Sequence, residues 1–125
     1  MTSGAGPISL GTFDFQITGD AVKLYRQALG LPEGEEVPIT FVTRALTEPA
    51  VLAELHSMFG HQVPIHIEQS FDAAETLKSG LDYKVTLVAE VLRDLRLRLI
   101  GTFIAPSNAV CVVMHSEFLL VNRQH

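Results

Sequence analysis

The groups able to carry chemistry in this sequence fall in two strand-like stretches and one acidic loop. In PIHIEQSF, residues 64–71, His66 and Glu68 stand two positions apart, so a regular strand would put both on one face with Ser70 continuing the row. An imidazole beside a carboxylate is a candidate proton-transfer pair. The same alternation also describes the polar face of a half-solvated strand, and that plainer role is favoured because antiparallel strands so often carry one. His115 and Glu117 repeat the pattern near the end of the chain, on the expected face of Cys111 and Val113. They too form a candidate base, with an ordinary exposed pair as the commoner case. The loop LPEGEEVP, residues 31–38, adds Glu36, a carboxylate able to activate water.

Other clusters point to less. His56, His61 and His66 lie within a short stretch, but His56 and His61 are expected to straddle a helix end. The His-Glu-x-x-His spacing is missing and Cys111 is remote, so no metal is expected. Ser3, Gly4 and Gly6 do not have the spacing of a phosphate loop. Arg96 and Arg98, set between Leu95, Leu97 and Leu99, place two guanidinium groups on one strand face. Such a pair can meet phosphates or an acidic partner. The plainer role, guarding an exposed strand or pairing with the acidic excess, is favoured.

Nine Lys and Arg against fourteen Asp and Glu give a formal charge of −5, which leaves no broad basic surface for a nucleic acid. The chain of 125 residues, 47% hydrophobic and 18% charged, fits a single domain over 1–125 with one sizeable core. One cysteine cannot form an internal disulfide, and a reducing cytoplasm is the expected setting. The N-terminus does not read as a signal peptide, and no apolar run reaches the roughly 18 residues of a membrane span.

The elements that must position these groups follow from periodicity. Residues 8–18 read as a strand. Asp20 is expected to cap a short helix carrying Val22, Tyr25 and Leu29 on one face, stopped by Gly30 and Pro32. Residues 39–60 are helical but interrupted, with Thr47 expected to cap the second piece and Val51, Leu52, Leu55, Met58 and Phe59 forming its apolar stripe. The period then changes to two in residues 63–71, 81–92, 95–105 and 110–121. Arg93 and Asp94 mark one reversal and PSNA, residues 106–109, another, so the last three strands should form an antiparallel meander. The fold class is α+β, with a curved antiparallel sheet around a central helix and edges that call for a second copy or another partner.

This order, together with the end of the first helix (residues 25–30), VPITF (37–41), HIEQSF (66–71) and LKSGLDYKVTLVAEV (77–91), resembles the MaoC-like and FAS1-like dehydratase N-terminal domains of the hotdog superfamily. Leu81 intervenes between Gly80 and Asp82, where the family has a Gly-Asp turn. The resemblance implies acyl thioesters of coenzyme A or acyl carrier protein as ligands and no cofactor. It implies (R)-specific enoyl hydration, or dehydration of a hydroxyacyl group, as the reaction, a lyase step of fatty acid metabolism. Active halves of that family use an aspartate and a histidine five positions later. Carried over, those positions fall at or near Leu31 and Glu36, and neither the loop nor its flanks hold an Asp or His. The chain therefore resembles the half without the dyad, expected to pair as a homodimer or with a dyad-bearing hotdog subunit. A noncatalytic acyl-binding or regulatory module and a divergent thioesterase are the alternatives. Glu36, His66, Glu68 and His115 are the catalytic candidates should the chain act alone. Phe41, Met58 and Phe59 are expected where the acyl chain runs, lining or filling its path, and Arg96 and Arg98 where coenzyme phosphates or an acidic carrier helix would dock.

Overall fold

The computed structural model describes residues 7–34, 36–93 and 95–122; Ser3, Gly4, Gly6 and Asp94 lie outside the described residues. Strand β1 (Ile8–Ile17) leads into helix α1 (Gly19–Ala28), then a 3₁₀ helix (Ile39–Thr47) and helix α2 (Pro49–Phe59). Four strands come next: β2 (Gln62–Ala73), β3 (Leu81–Val91), β4 (Arg96–Ile104) and β5 (Val110–Asn122). They make one antiparallel sheet in the order β1-β3-β4-β5-β2, with the expected β3-β4-β5 meander at its centre.

Strict alternation in β3 and β4 decides which face is covered. Tyr83, Val85, Leu87 and Ala89 on β3, with Leu97, Leu99, Gly101 and Phe103 on β4, are all buried, and the residues alternating with them are not. That inner face curves around the helical layer, which supplies Phe41, Val42, Ala45, Val51, Leu55 and Phe59. Gly101 also faces inward: a Cβ there would stand 3.1 Å from Met114 Cε and 3.3 Å from Leu87 Cδ2, so the strand admits no side chain at this point without displacement.

Turns reflect local chemistry. Asn108 takes the left-handed conformation (φ 71°) between β4 and β5, which Asn tolerates better than most residues. The segment 39–47 winds tightly. It is rich in β-branched residues (Ile39, Thr40, Val42, Thr43, Thr47), and the hydroxyls of Thr43 and Thr47 donate to carbonyls three positions back, Thr40 and Arg44.

Two caps differ from expectation. Thr18, rather than Asp20, caps α1: its hydroxyl accepts from the Ala21 N–H at 3.1 Å, and Asp20 sits inside the first turn, where its charge suits the helix dipole. At α2 the cap residue is Glu48, with Pro49 after it, because the Thr47 hydroxyl is already engaged with Arg44. Leu29 ends α1 exposed, off the core face.

Thr18→Ala should lower unfolding free energy by about 1 kcal/mol in urea titrations, and Asp20→Ala by clearly less; equal losses would place the cap at Asp20 instead.

Candidate functional site

Register irregularities, which no residue pattern announces, sort the candidate residues. β2 pairs His66 with Phe118 but Glu68 with Glu117, so Ile67 is an extra residue in the ladder. The period of two is broken there, and His66 and Glu68 face opposite sides of the sheet. His66 lies on the inner side, its ring stacked on Phe118 at 5.0 Å, with Nε2 2.9 Å from the Glu68 carbonyl oxygen. Glu68 points outward. The expected His66/Glu68/Ser70 row is thereby corrected: only Glu68 and Ser70 share a face.

The outer face gathers Glu68, Ser70, Asp72, Arg98, His115 and Glu117 around a shallow depression. His115 Nε2 stands 3.4 Å from Asp72 Oδ2. Glu117 would repel Glu68 directly across the ladder, and Arg96 (3.3 Å) and Arg98 (3.6 Å) offset that by bonding Glu117, with Arg98 also 3.3 Å from Glu90. The two arginines are thus engaged with the acidic excess. They do not guard an edge, since β4 is an interior strand.

A second irregularity, where Phe103 pairs with Val112 but Ile104 with Val110, leaves Cys111 as the extra residue of β5. Cys111 turns inward and is buried, off the face of His115 and Glu117. Its carbonyl accepts from the N–H groups of Ala74 (2.8 Å) and Glu75 (3.2 Å), and its thiol donates to Glu75 Oε2 at 3.4 Å. Burial foremost, then the Glu75 carboxylate, pushes the thiol above its ordinary pKa.

That anchoring builds a cleft of about 370 Å³ between residues 36–39, at the head of the 3₁₀ helix, and residues 73–77. Glu36 stands on one wall and Glu75 on the other. Glu75 was not among the sequence candidates: it sits between two strands, and only the fold brings it opposite Glu36. The 3₁₀ helix has Pro38 as its cap residue and no side-chain cap: the Phe41 N–H donates to the Pro38 carbonyl at 2.9 Å, and the Ile39 and Thr40 N–H groups are unbonded among the described residues. Carboxylates and helix N–H groups share the cleft, and no imidazole lines it.

Leu31, at the expected aspartate position, lines a different cavity beside α1. Phe41 is corrected to a core residue: it is buried, packed on Phe15 (6.0 Å) and edge-on to Tyr25 (5.3 Å), and lines none of the cavities described. Met58 is half-buried against the core. Phe59 lines an apolar cavity of about 470 Å³ between α2 and the Phe118 end of the sheet, apart from the Glu36 cleft.

No protein-family model and no curated protein matches the sequence. Solved structures do match it. A hydroxyacyl-ACP dehydratase complex, HadBC from Mycobacterium tuberculosis, aligns with a TM-score of 0.74 at 11% identity, over 94% of this chain and 98% of that one. A hot-dog-like protein from Thermanaerovibrio acidaminovorans gives 0.67 at 12% identity, over 89% and 79%. A 1,4-dihydroxy-2-naphthoyl-CoA thioesterase from Synechocystis gives 0.66 at 12% identity, over 95% and 85%. The fold is that of the hotdog proteins.

Because burial and, after it, the Glu75 carboxylate raise the thiol pKa, Glu75→Gln should remove the second contribution and move the rise of Cys111 alkylation rate by iodoacetamide to lower pH than in the wild type. An unmoved profile would mean that the Cys111–Glu75 contact does not form in solution.

Proposed function

We propose that the chain binds acyl thioesters in the cleft between residues 36–39 and 73–77, as the half of a two-hotdog hydroxyacyl dehydratase or enoyl hydratase that lacks the acid/base dyad. The observation carrying this is the separation of Leu31 from Glu36. The first lines the cavity beside α1 and cannot move a proton, and the second stands in the cleft with only another carboxylate opposite. Hydration of a 2-enoyl thioester needs water activated on one carbon, a proton delivered to the next, and donors for the enolate oxygen. The open N–H groups of the 3₁₀ helix suit the last of these, so the cleft favours holding a thioester while a partner supplies the dyad. The likeness to the HadBC dehydratase complex agrees with this reading.

A partner also suits β2, an edge strand of the single chain that leaves Ile65 (46%) and Ile67 (43%) exposed beside unpaired backbone groups. Whether the partner is a second copy or a different hotdog subunit, it would meet this edge.

Thioester hydrolysis is the second reading, favoured by Glu36 and Glu75 facing one cleft, where either carboxylate can act as base towards water. It accords with the likeness to the naphthoyl-CoA thioesterase.

One pair of assays separates the readings. Incubated alone with a short 2-enoyl-CoA, the protein should bind it, measured calorimetrically, with neither loss of the enoyl absorbance nor release of free thiol. Thiol release abolished by Glu36→Gln or Glu75→Gln would establish the hydrolase instead. Hydration by the chain alone would overturn the dyad-less assignment and direct mutation to Glu36, His66 and His115.

A further inference from the structure

Of the described cations in no ion pair (Lys23, Arg26, Arg44, Lys78 and Arg93), two lie one turn apart on α1 and share a cavity. Lys84 pairs with Asp14, Arg96 with Glu117, and Arg98 with Glu90 and Glu117. Lys23 and Arg26 pair with no carboxylate among the described residues, in a protein whose acidic groups outnumber its basic ones. Both line a cavity of about 390 Å³ between α1 and the loop beyond it.

The cavity is built around Arg26. One of its terminal nitrogens donates to the Pro32 carbonyl (2.8 Å) and the other to the Glu36 carbonyl (3.0 Å), so the guanidinium is held in place without being neutralised. Gly34 permits this: a Cβ there would stand 3.1 Å from Arg26 Nη2. The Nε–H is buried and has no partner among the described residues. Lys23, one turn before it on α1, and Gln27, next to it, add an ammonium and an amide, and Ser79 adds a hydroxyl. Among the described residues lining the cavity, Glu33 is the one carboxylate, beside two cations.

Position matters as much as charge. Neighbouring stretches of the chain bound the two sites: 31–34 and Ser79 line this cavity, 36–39 and 73–77 the Glu36 cleft. Arg26 bonds a carbonyl in 31–34 and another in 36–39 and so ties the two sites together.

We infer that the cavity between α1 and residues 31–34 receives the phosphate end of an acyl-coenzyme A whose thioester lies in the Glu36 cleft. The inference rests on the acyl-thioester reading and adds the coenzyme to it. A set of two cations, an amide and a hydroxyl suits a group with several phosphate oxygens, and a guanidinium fixed beforehand loses little freedom on binding. A carrier protein's arm has a single phosphodiester and would make fewer of these contacts.

The test compares butyryl-CoA with S-butyryl-pantetheine, which lacks the phosphate groups, by calorimetry on the wild type, Lys23→Glu and Lys84→Glu. The last makes the same charge change on the outer face. Lys23 is exposed on α1, and its replacement should leave the fold intact, which circular dichroism would confirm. Lys23→Glu should weaken butyryl-CoA about tenfold, the scale of one charged hydrogen bond, with butyryl-pantetheine unchanged and Lys84→Glu like the wild type for both ligands. Equal weakening by both charge reversals would reduce the effect to net charge and overturn the site. Unchanged butyryl-CoA binding in Lys23→Glu would overturn it as well, leaving the thioester cleft standing. If the wild type binds neither compound, the acyl-thioester reading fails and the phosphate site with it. Binding of butyryl-carrier protein but not butyryl-CoA would overturn the choice of coenzyme.

Discussion

The ring of Phe41 is the contact on which the arrangement of the molecule turns. It lies between Phe15 of β1 and Tyr25 of α1, with the Arg44 guanidinium 5.2 Å over its centre, and so joins the edge strand, the first helix and the head of the 3₁₀ helix in one cluster. Phe103 extends the cluster into the sheet through Phe15 at 5.4 Å. Deleting a buried aromatic side chain costs about 3–5 kcal/mol, a large share of the roughly 5–15 kcal/mol that holds a domain folded. The cluster also fixes where the cleft opens, since Pro38 and Ile39 lead directly into Phe41. An aromatic residue filling this place gives the helix head a rigid seat and excludes an acyl chain from the same space.

Most of the elements were legible because their hydrophobic periods are clean: β3 and β4 alternate without a break, and α2 buries Val51, Leu55 and Phe59 at four-residue spacing. The features hidden from a reading of the sequence lie where pairing with another strand overrides the period. Ile67 and Cys111 each add one residue to a ladder, and each reverses the facing of the residues after it. His66 thus parts from Glu68, and Cys111 from His115. Such insertions depend on partners about fifty residues away in the one case and a neighbouring strand in the other, so local spacing carries no trace of them. Glu75 escaped notice for the same reason, being brought to the cleft by bonds to Cys111. Glu36, by contrast, was legible, as the carboxylate closest to the start of a helix in an acidic loop.

The outer-face charges show how proximity can mimic a site. Glu68, Asp72, His115 and Glu117 meet there as carboxylates and an imidazole, the mixture sought for proton transfer. Yet Glu117 is held by two arginines, and Asp72 is exposed with its side chain in water. The exposed His115–Asp72 pair contributes about 0–1 kcal/mol, while Glu117 is mostly buried between its arginines. The effect of these pairs is to make the strands' outer face compatible with water and to balance like charges across β2 and β5.

The proposed cleft, set apart from those charges, would separate holding a ligand from transforming it. On the proposed reading a thioester would be held there by the head of the 3₁₀ helix, walls anchored by Cys111 and Arg26, and a guanidinium already immobilised beside it. These depend on backbone geometry and on side chains locked by packing, which a small sheet around one helix provides by itself. Proton transfer to a chosen carbon asks for more, namely groups converging on the substrate from several directions. The β2 edge lies across the sheet from the β1 edge that carries Phe15, so the sheet can be extended there without disturbing the core that supports the cleft. A second hotdog subunit pairing at β2 would enlarge the wall around the ligand while leaving Phe41 and its neighbours untouched. Binding and chemistry can therefore reside on different chains, because the cluster that seats the helix head is internal to one chain and the groups for proton transfer need not be.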